Sequence, residues 1–409
     1  MAEPITHYGI ENASSVMSAF HKVGNDQLAE LLELYSAPAM MKTLRTWGLR
    51  EAAPLIGRSE QHIRKLEEIG GPLYPHLKDA KNKRYYTLER INQFRDKLGT
   101  RYKRDKLSDT MIFAVSNFKG GVGKSSSSLA FSHKCALEGL RVLCIDLDPQ
   151  ATLTLGFGFI PDVHLKGEDT ISKALNESPT CISSLIQKTY FDGISLIPGN
   201  LALSDMELEL INSDKQKRDI LKLGMPQERL KNALSLVKDQ YDIIILDCGP
   251  NLGILTINAL TAANALLVPI PPMMPDFGSY VTFTGTLAEL FKSINKDFVF
   301  FRILLTKHSG SQEADGIATM MRQRFGRYML INSIVNSVEI EKASSKFGSV
   351  YELPKNSSPT YRRAITTLDL VFNEILDACK TIWKAQAIAK NKPGLADKNT
   401  HILEKDHGR

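Results

Sequence analysis

The stretch Met111-Ile-Phe-Ala-Val-Ser-Asn-Phe-Lys-Gly-Gly-Val-Gly-Lys-Ser125 decides the fold. An unbroken apolar run ends in a glycine-rich turn, and a helical stretch, Ser125–Glu138, leaves that turn at once. Glycines let a chain bend until successive amide groups converge, and the helix N-terminus adds its partial positive charge, so the arrangement is a cradle for phosphate. Gly120, Gly121, Val122 and Gly123 supply the bend, with Ser126 just beyond it. Lys124 is expected to reach the β- and γ-phosphates and the Ser125 hydroxyl to ligate Mg²⁺.

Outward from this point, further apolar runs of four to nine residues recur at Val142–Asp146, Ile194–Pro198, Tyr241–Asp247, Ala265–Pro269 and Phe298–Thr306, separated by helical stretches such as Gln227–Lys238. Continuous apolar strands alternating with helices predict an α/β fold, a mostly parallel sheet covered by helices on both faces. Two of the runs end in acid. Arg141-Val-Leu-Cys-Ile-Asp-Leu-Asp-Pro-Gln150 carries Asp146 and Asp148, and Tyr241-Asp-Ile-Ile-Ile-Leu-Asp-Cys-Gly-Pro250 carries Asp247 and Gly249. Acids and a glycine cradle at strand C-termini predict one crevice.

Towards the N-terminus the texture changes. Of 409 residues, 51 are Lys or Arg and 45 Asp or Glu, a net charge of +6. The excess is concentrated: Met40 to Lys106 holds 17 Lys and Arg against eight Asp and Glu, leaving the rest slightly acidic. A basic block beside an acidic remainder points to a module for a polyanion. Within it, Leu49–Gly57 reads as a short helix closed by glycine, and Ser59 is a natural N-cap for Glu60–Glu68. Gln61, His62, Arg64 and Lys65 lie on the outside of that second helix. Leu77–Tyr86 suits a two-stranded wing carrying Lys81, Lys83 and Arg84 near its tip, and Thr87 caps a helix Leu88–Leu98. Arg101–Lys106 reads as a charged linker. Before all of this, Val16, Phe20, Val23, Leu28, Leu31 and Leu32 recur at helical spacing from Ile10 to Tyr35, a stripe that needs a partner. The expected domains are therefore 1–38 (dimerising helix), 39–106 (DNA-binding) and 107–409 (nucleotide-binding, with C-terminal helices).

Five scattered cysteines fit neither a disulfide framework nor a zinc site. The first residues lack the pattern of a signal peptide, and no apolar run approaches a membrane span, so a cytoplasmic protein is expected.

Residues 49–98 resemble the winged helix-turn-helix of MerR-type repressors. In the phosphate loop, Phe118 stands where a first glycine is usual and Lys119 follows it; this variant resembles the deviant Walker A of the ParA and MinD-type ATPases. The long ParA form resembles the chain along nearly its whole length. That resemblance implies ATP/ADP and Mg²⁺ as cofactors, weak ATP hydrolysis, and Lys119 reaching across a homodimer to the partner's nucleotide. It implies that Asp148 positions the attacking water, that Asp146 supports the Ser125–Mg²⁺ arrangement, and that Asp247 holds the metal through water. By the same resemblance Gly249 senses the γ-phosphate, and Val268–Pro272, Asp276–Ser279, Thr306 and Lys307 lie on the base side. It further implies plasmid partition with a ParB-like centromere-binding partner, nucleoid association through non-specific DNA, and operator binding through the N-terminal module. Arg362 and Arg363 after Pro359 are the first candidates for the non-specific surface, ahead of Arg322, Arg324, Arg327, Lys380 and Lys384. A nucleotide-sensing repressor and a MinD-like membrane-positioning ATPase are the alternatives.

Overall fold

A computed structural model describes residues 13–35, 42–211, 223–354 and 358–391. The chain divides into two compact units, Met1–Lys42 and Thr43–Arg409. In the first, Ala13–Tyr35 is a single helix on which Met17, Phe20 and Val23 are exposed. The start of the expected stripe, at Ile10, lies outside the described residues, as do the residues beyond 391.

Among its described residues, the second unit contains nine strands: β1 (Trp47–Gly48), β2 (Tyr85–Tyr86), β3 (Met111–Val115), β4 (Val142–Leu147), β5 (Gln187–Lys188), β6 (Ile194–Ile197), β7 (Ile243–Cys248), β8 (Ala265–Ile270) and β9 (Phe300–Leu305). Seven form one sheet in the order β5-β6-β4-β7-β3-β8-β9. All its pairings are parallel except β5 with β6. The central strands are buried on both faces, which is why they read as continuous apolar runs rather than alternating ones. β5 is polar and two residues long, and no periodicity announces it.

Residues 43–100 fold around Trp47, Ile56, Ile63, Tyr86, Ile91 and Phe94, all buried. Helix Leu49–Ile56 closes on Gly57 in the left-handed region, and Ser59 accepts the His62 amide at the start of helix Glu60–Leu66. Thr87 caps Leu88–Leu98 in the same way. The expected two-stranded wing is a short antiparallel hairpin: Lys78 bridges Arg84, the Asp79 amide donates to Lys83 O at 2.9 Å and the Tyr85 amide to Leu77 O at 3.2 Å. Asp79 Oδ1 accepts the amides of Lys81 and Lys83, Asn82 has φ 61°, and β2 pairs antiparallel with β1.

The expected linker is no free tether. Arg101 Nε donates to Gly139 O at 2.7 Å, Tyr102 stacks on Trp383 at 5.8 Å, and Arg104 reaches Asp242 at 3.6 Å. Residues 43–100 and the sheet share one continuous hydrophobic cluster.

Candidate nucleotide site

The order of strands brings three C-terminal ends together. β3 lies beside β7 with Val115 opposite Asp247, and β7 lies beside β4 with Asp247 opposite Asp146. The glycine loop springs from β3 between them. Asn117 fixes its base: its Nδ2 donates to Pro269 O at 2.8 Å and its Oδ1 accepts the Lys119 amide at 3.1 Å. Gly121 (φ 73°) and Gly123 (φ 91°) occupy the left-handed region, which a side chain would strain. Gly123 is the N-cap of helix Lys124–Leu137.

Three carbonyls of the loop are occupied. Lys124 Nζ donates to Lys119 O at 2.9 Å, Lys307 Nζ to Gly121 O at 2.7 Å and Thr306 Oγ1 to Val122 O at 2.7 Å. With its acceptors tied down, the loop keeps its amides and the helix N-terminus for an anion. Lys124 is buried; burial lowers its pKa, while the carboxylates of Asp247 and Asp148 oppose that. Lys119, the residue expected to reach a partner, pairs within its own chain: its Nζ is 2.9 Å from Asp276 Oδ1.

The acids differ in what they touch. Asp247 is fully buried, and its Oδ1 accepts the Ser128 hydroxyl at 2.8 Å. Among the described residues Oδ2 has no hydrogen-bond partner. Burial raises the Asp247 pKa, and the Ser125 and Ser128 hydroxyls beside it work against the rise. A buried carboxylate with an unmatched oxygen next to a serine hydroxyl is costly unless a cation shares the site, so these residues fit a hard divalent metal of the Mg²⁺ kind. Asp148 lies against Gly249, where an added Cβ would come within 3.7 Å of its carboxylate.

Asp146 is held on both oxygens. Its Oδ1 accepts the Asp148 amide at 3.2 Å, and its Oδ2 accepts both the amide (2.8 Å) and the hydroxyl (2.7 Å) of Thr154. Both oxygens are committed to the turn that carries Asp148. A carboxylate so engaged braces the loop beside Asp247.

Beside the loop opens a cavity of about 420 Å³, lined by Gly123, Ser126, Thr306, Lys307, Asn336 and Ser337 among others. Of the segments expected on the base side, Thr306 and Lys307 line it. Val268–Pro272 and Asp276–Ser279 are not part of its wall, and Asp276 faces Lys119 instead. Asn336 and Ser337 carry no motif and escaped the sequence reading. They arrive because the His308–Val335 bridge extends the sheet edge past β9.

The basic candidates in the N-terminal module split. Gln61, His62, Arg64, Lys65, Lys81 and Lys83 are exposed. Arg84 is half-buried and held at 3.2 Å by Glu67, a buried carboxylate that also accepts the Tyr86 hydroxyl at 2.8 Å. Arg84 therefore fastens the wing to the end of the second helix. In the C-terminal region, helix Pro359–Asn391 displays Arg362 and Arg363 on its exposed first turns. Arg322 Nη2 donates to Ile331 O at 3.3 Å, while Arg324 is exposed.

A sequence family described as an AAA domain matches residues 110–300. Protein SopA of Escherichia coli K12 is 35% identical over 353 residues, covering 83% of this chain and 90% of SopA. A solved structure titled "Partition Protein" superposes with a TM-score of 0.63 over 89% of this chain and 98% of its own, at 18% identity. Cobyrinic acid a,c-diamide synthase from Mycobacterium smegmatis, solved with an ATP analogue and magnesium, shares the fold at a TM-score of 0.52 and 24% identity, covering 66% of this chain and 96% of its own. With the glycine loop, its lysine pair and the two acidic strand ends in one crevice, the similarity to SopA along most of both chains shows that this chain belongs to the ParA-type partition ATPase family.

Proposed function

We propose that the protein hydrolyses ATP slowly and uses the cycle to partition a plasmid. The observation that carries the reading is the crevice itself: the Gly120–Ser125 loop, the unmatched Asp247 Oδ2 and the Asp148–Gly249 contact lie at adjacent strand ends. In this reading the loop amides and Lys124 bind the phosphates, and the base enters the cavity beside Thr306 and Asn336. Ser125 and Asp247 hold Mg²⁺, which when bound neutralises charge on the phosphate oxygens. Asp148, held by a turn that Asp146 braces, orients the attacking water. Positioning of this kind is most of what phosphoryl transfer asks of a protein.

Lys119 then serves a second subunit, which makes ATP part of a homodimer interface. The exposed apolar side of helix Ala13–Tyr35 supports a further dimer contact. The Glu60–Leu66 helix supports operator recognition and autorepression, with Lys81 and Lys83 at phosphates. Arg362 and Arg363 support sequence-independent binding to the nucleoid. A ParB-like partner stimulates turnover. No helix among the described residues is long and apolar enough to cross a membrane.

Phosphate release from Mg²⁺·ATP, measured alone and with non-specific duplex DNA, tests the reading. Slow turnover that DNA raises supports it. Nucleotide binding without any turnover favours a nucleotide-sensing repressor.

A further inference from the structure

β6 lies beside β4, with Ile197 opposite Ile145, so the chain leaving β6 arrives against the turn that carries Asp148. There the Gly199 amide donates to Thr154 Oγ1 at 2.9 Å, and that hydroxyl donates in turn to Asp146 Oδ2. A Cβ on Gly199 would stand 3.1 Å from Asp146 Cγ and 3.2 Å from Asp148 O, so the close approach needs glycine. Buried Asn200 then opens helix Ala202–Ile211: its Oδ1 accepts the Ala202 amide at 3.1 Å, and its Nδ2 donates to Leu165 O at 3.3 Å. The start of this segment is thereby fastened to the Asp146–Asp148 turn.

Leu203, Met206 and Leu210 recur at helical spacing and are buried, which turns Glu207, beside them on the same face, towards the interior. Glu207 Oε1 accepts the Leu255 amide at 3.2 Å, in the first turn of helix Ile254–Ala262. The N-cap of that helix is Gly253, which has no side chain to satisfy the first amides. The Glu207 carboxylate does so instead and also meets the positive end of the helix dipole. A Cβ on Gly253 would overlap Glu207 Oε1 and stand 2.9 Å from its Cδ, so a side chain there would evict the carboxylate. The loop Gly249–Leu252 is therefore held at both ends, by the pairing of Cys248 with Leu147 and by Glu207. Within that loop, Gly249 is the residue packed against the Asp148 carboxylate.

We propose that Glu207 is a positioning residue for hydrolysis: it fixes the far end of the Gly249–Leu252 loop, so that Gly249 and Asp148 keep their mutual placement around the phosphate being cleaved. This rests on the reading of the crevice as an ATPase site and deepens it. The helical segment from Ala202 to Glu207 is one strut between the two turns, tied at Gly199 to the turn of Asp148 and at Glu207 to the loop of Gly249. Nucleotide binding draws on other groups, the Gly120–Ser125 amides and Lys124, which stand on the loop after β3. Loss of Glu207 therefore lowers turnover and spares affinity. Misplacement by about 1 Å, caused at a distance from the chemistry, can cost about a hundredfold in rate.

Titration of a fluorescent ATP analogue and single-turnover phosphate release test this on the full-length protein. The variants are Glu207→Ala, Glu207→Gln, Gly253→Ala and the double replacement Glu207→Ala with Gly253→Ala. Glu207→Ala and Gly253→Ala should each bind the analogue within about twofold of wild type and release phosphate at least about tenfold more slowly. Glu207→Gln keeps an acceptor for the Leu255 amide and should recover phosphate release to within about threefold of wild type. Because the methyl group of Gly253→Ala acts by displacing the carboxylate, the double variant should be no slower than the slower single one. Should Glu207→Ala fail to fold, Gly253→Ala gives the same readout. Phosphate release at the wild-type rate by either single alanine variant overturns the proposal. A loss of analogue affinity as large as the loss of rate overturns it too, as does a double variant whose losses multiply. Failure of the wild type itself to bind the analogue removes the ATPase reading, and the proposal with it.

Discussion

Lys119 Nζ and Asp276 Oδ1 of the same chain lie 2.9 Å apart, with the aspartate buried and the lysine half-exposed. The contact holds in place the one lysine whose proposed task is on another subunit. A pair with one exposed member contributes up to about 1 kcal/mol. Asp276→Asn should release Lys119 and lower the protein concentration needed for ATP-dependent dimers by up to about fivefold. Sedimentation velocity with a slowly hydrolysed ATP analogue reads this; an unchanged or weaker dimer contradicts it.

Asp247 should make the nucleotide-free protein sensitive to pH. Burial raises its pKa, so the folded state holds this proton more tightly than the unfolded one. Its stabilising contribution is complete below the ordinary carboxylate value near 4 and is lost as pH rises through the raised value, on the order of 1 kcal/mol for each pH unit separating the two. Asp247→Asn removes the titration and still offers Ser128 an acceptor. The variant's Tm should rise above wild type as pH climbs from about 4 to about 6, the raised Asp247 value, and the gap should then stay level, while Mg²⁺·ADP stabilises only the wild type. A gap that narrows with rising pH would show that burial is not the dominant influence.

The nucleotide crevice was legible because its chemistry is written in contiguous motifs: Lys119–Ser125, Asp146–Asp148 and Asp247–Gly249. The strands were legible because burial on both faces leaves them uniformly apolar. What stayed hidden depends on partners distant in sequence. The hold of Asp146 on Thr154 could not be read from the sequence, because only the fold of the turn after β4 brings the two together. Arg101–Lys106 has the charge pattern of a solvated tether, yet Gly139 and Trp383 hold it down. The cavity wall from Asn336 to Val350 comes from beyond β9, with no motif of its own.

Arg362 and Arg363 open helix Pro359–Asn391 and are exposed on its first turns, where positive charge opposes the helix dipole. If each meets one phosphate of non-specific DNA, their joint replacement by alanine should flatten the slope of log affinity against log salt by roughly 2. Fluorescence anisotropy of a random-sequence duplex between about 50 and 200 mM salt measures the slope. An unchanged slope in folded, ATP-binding protein moves the contact elsewhere, with exposed Arg324 the next candidate.

The proposed mechanism stands on two events, ATP binding by the Gly120–Ser125 loop and hydrolysis directed by Asp148. Single-turnover release of labelled phosphate, beside titration of a fluorescent ATP analogue, tests both in wild type, Lys124→Ala and Asp148→Ala. Lys124→Ala should weaken nucleotide binding by at least about tenfold, the cost of one charge-assisted contact. Asp148→Ala should bind within about twofold of wild type and lose at least about a hundredfold in phosphate release, the low end for a positioned proton-accepting group. Hydrolysis at the wild-type rate by Asp148→Ala would contradict the mechanism.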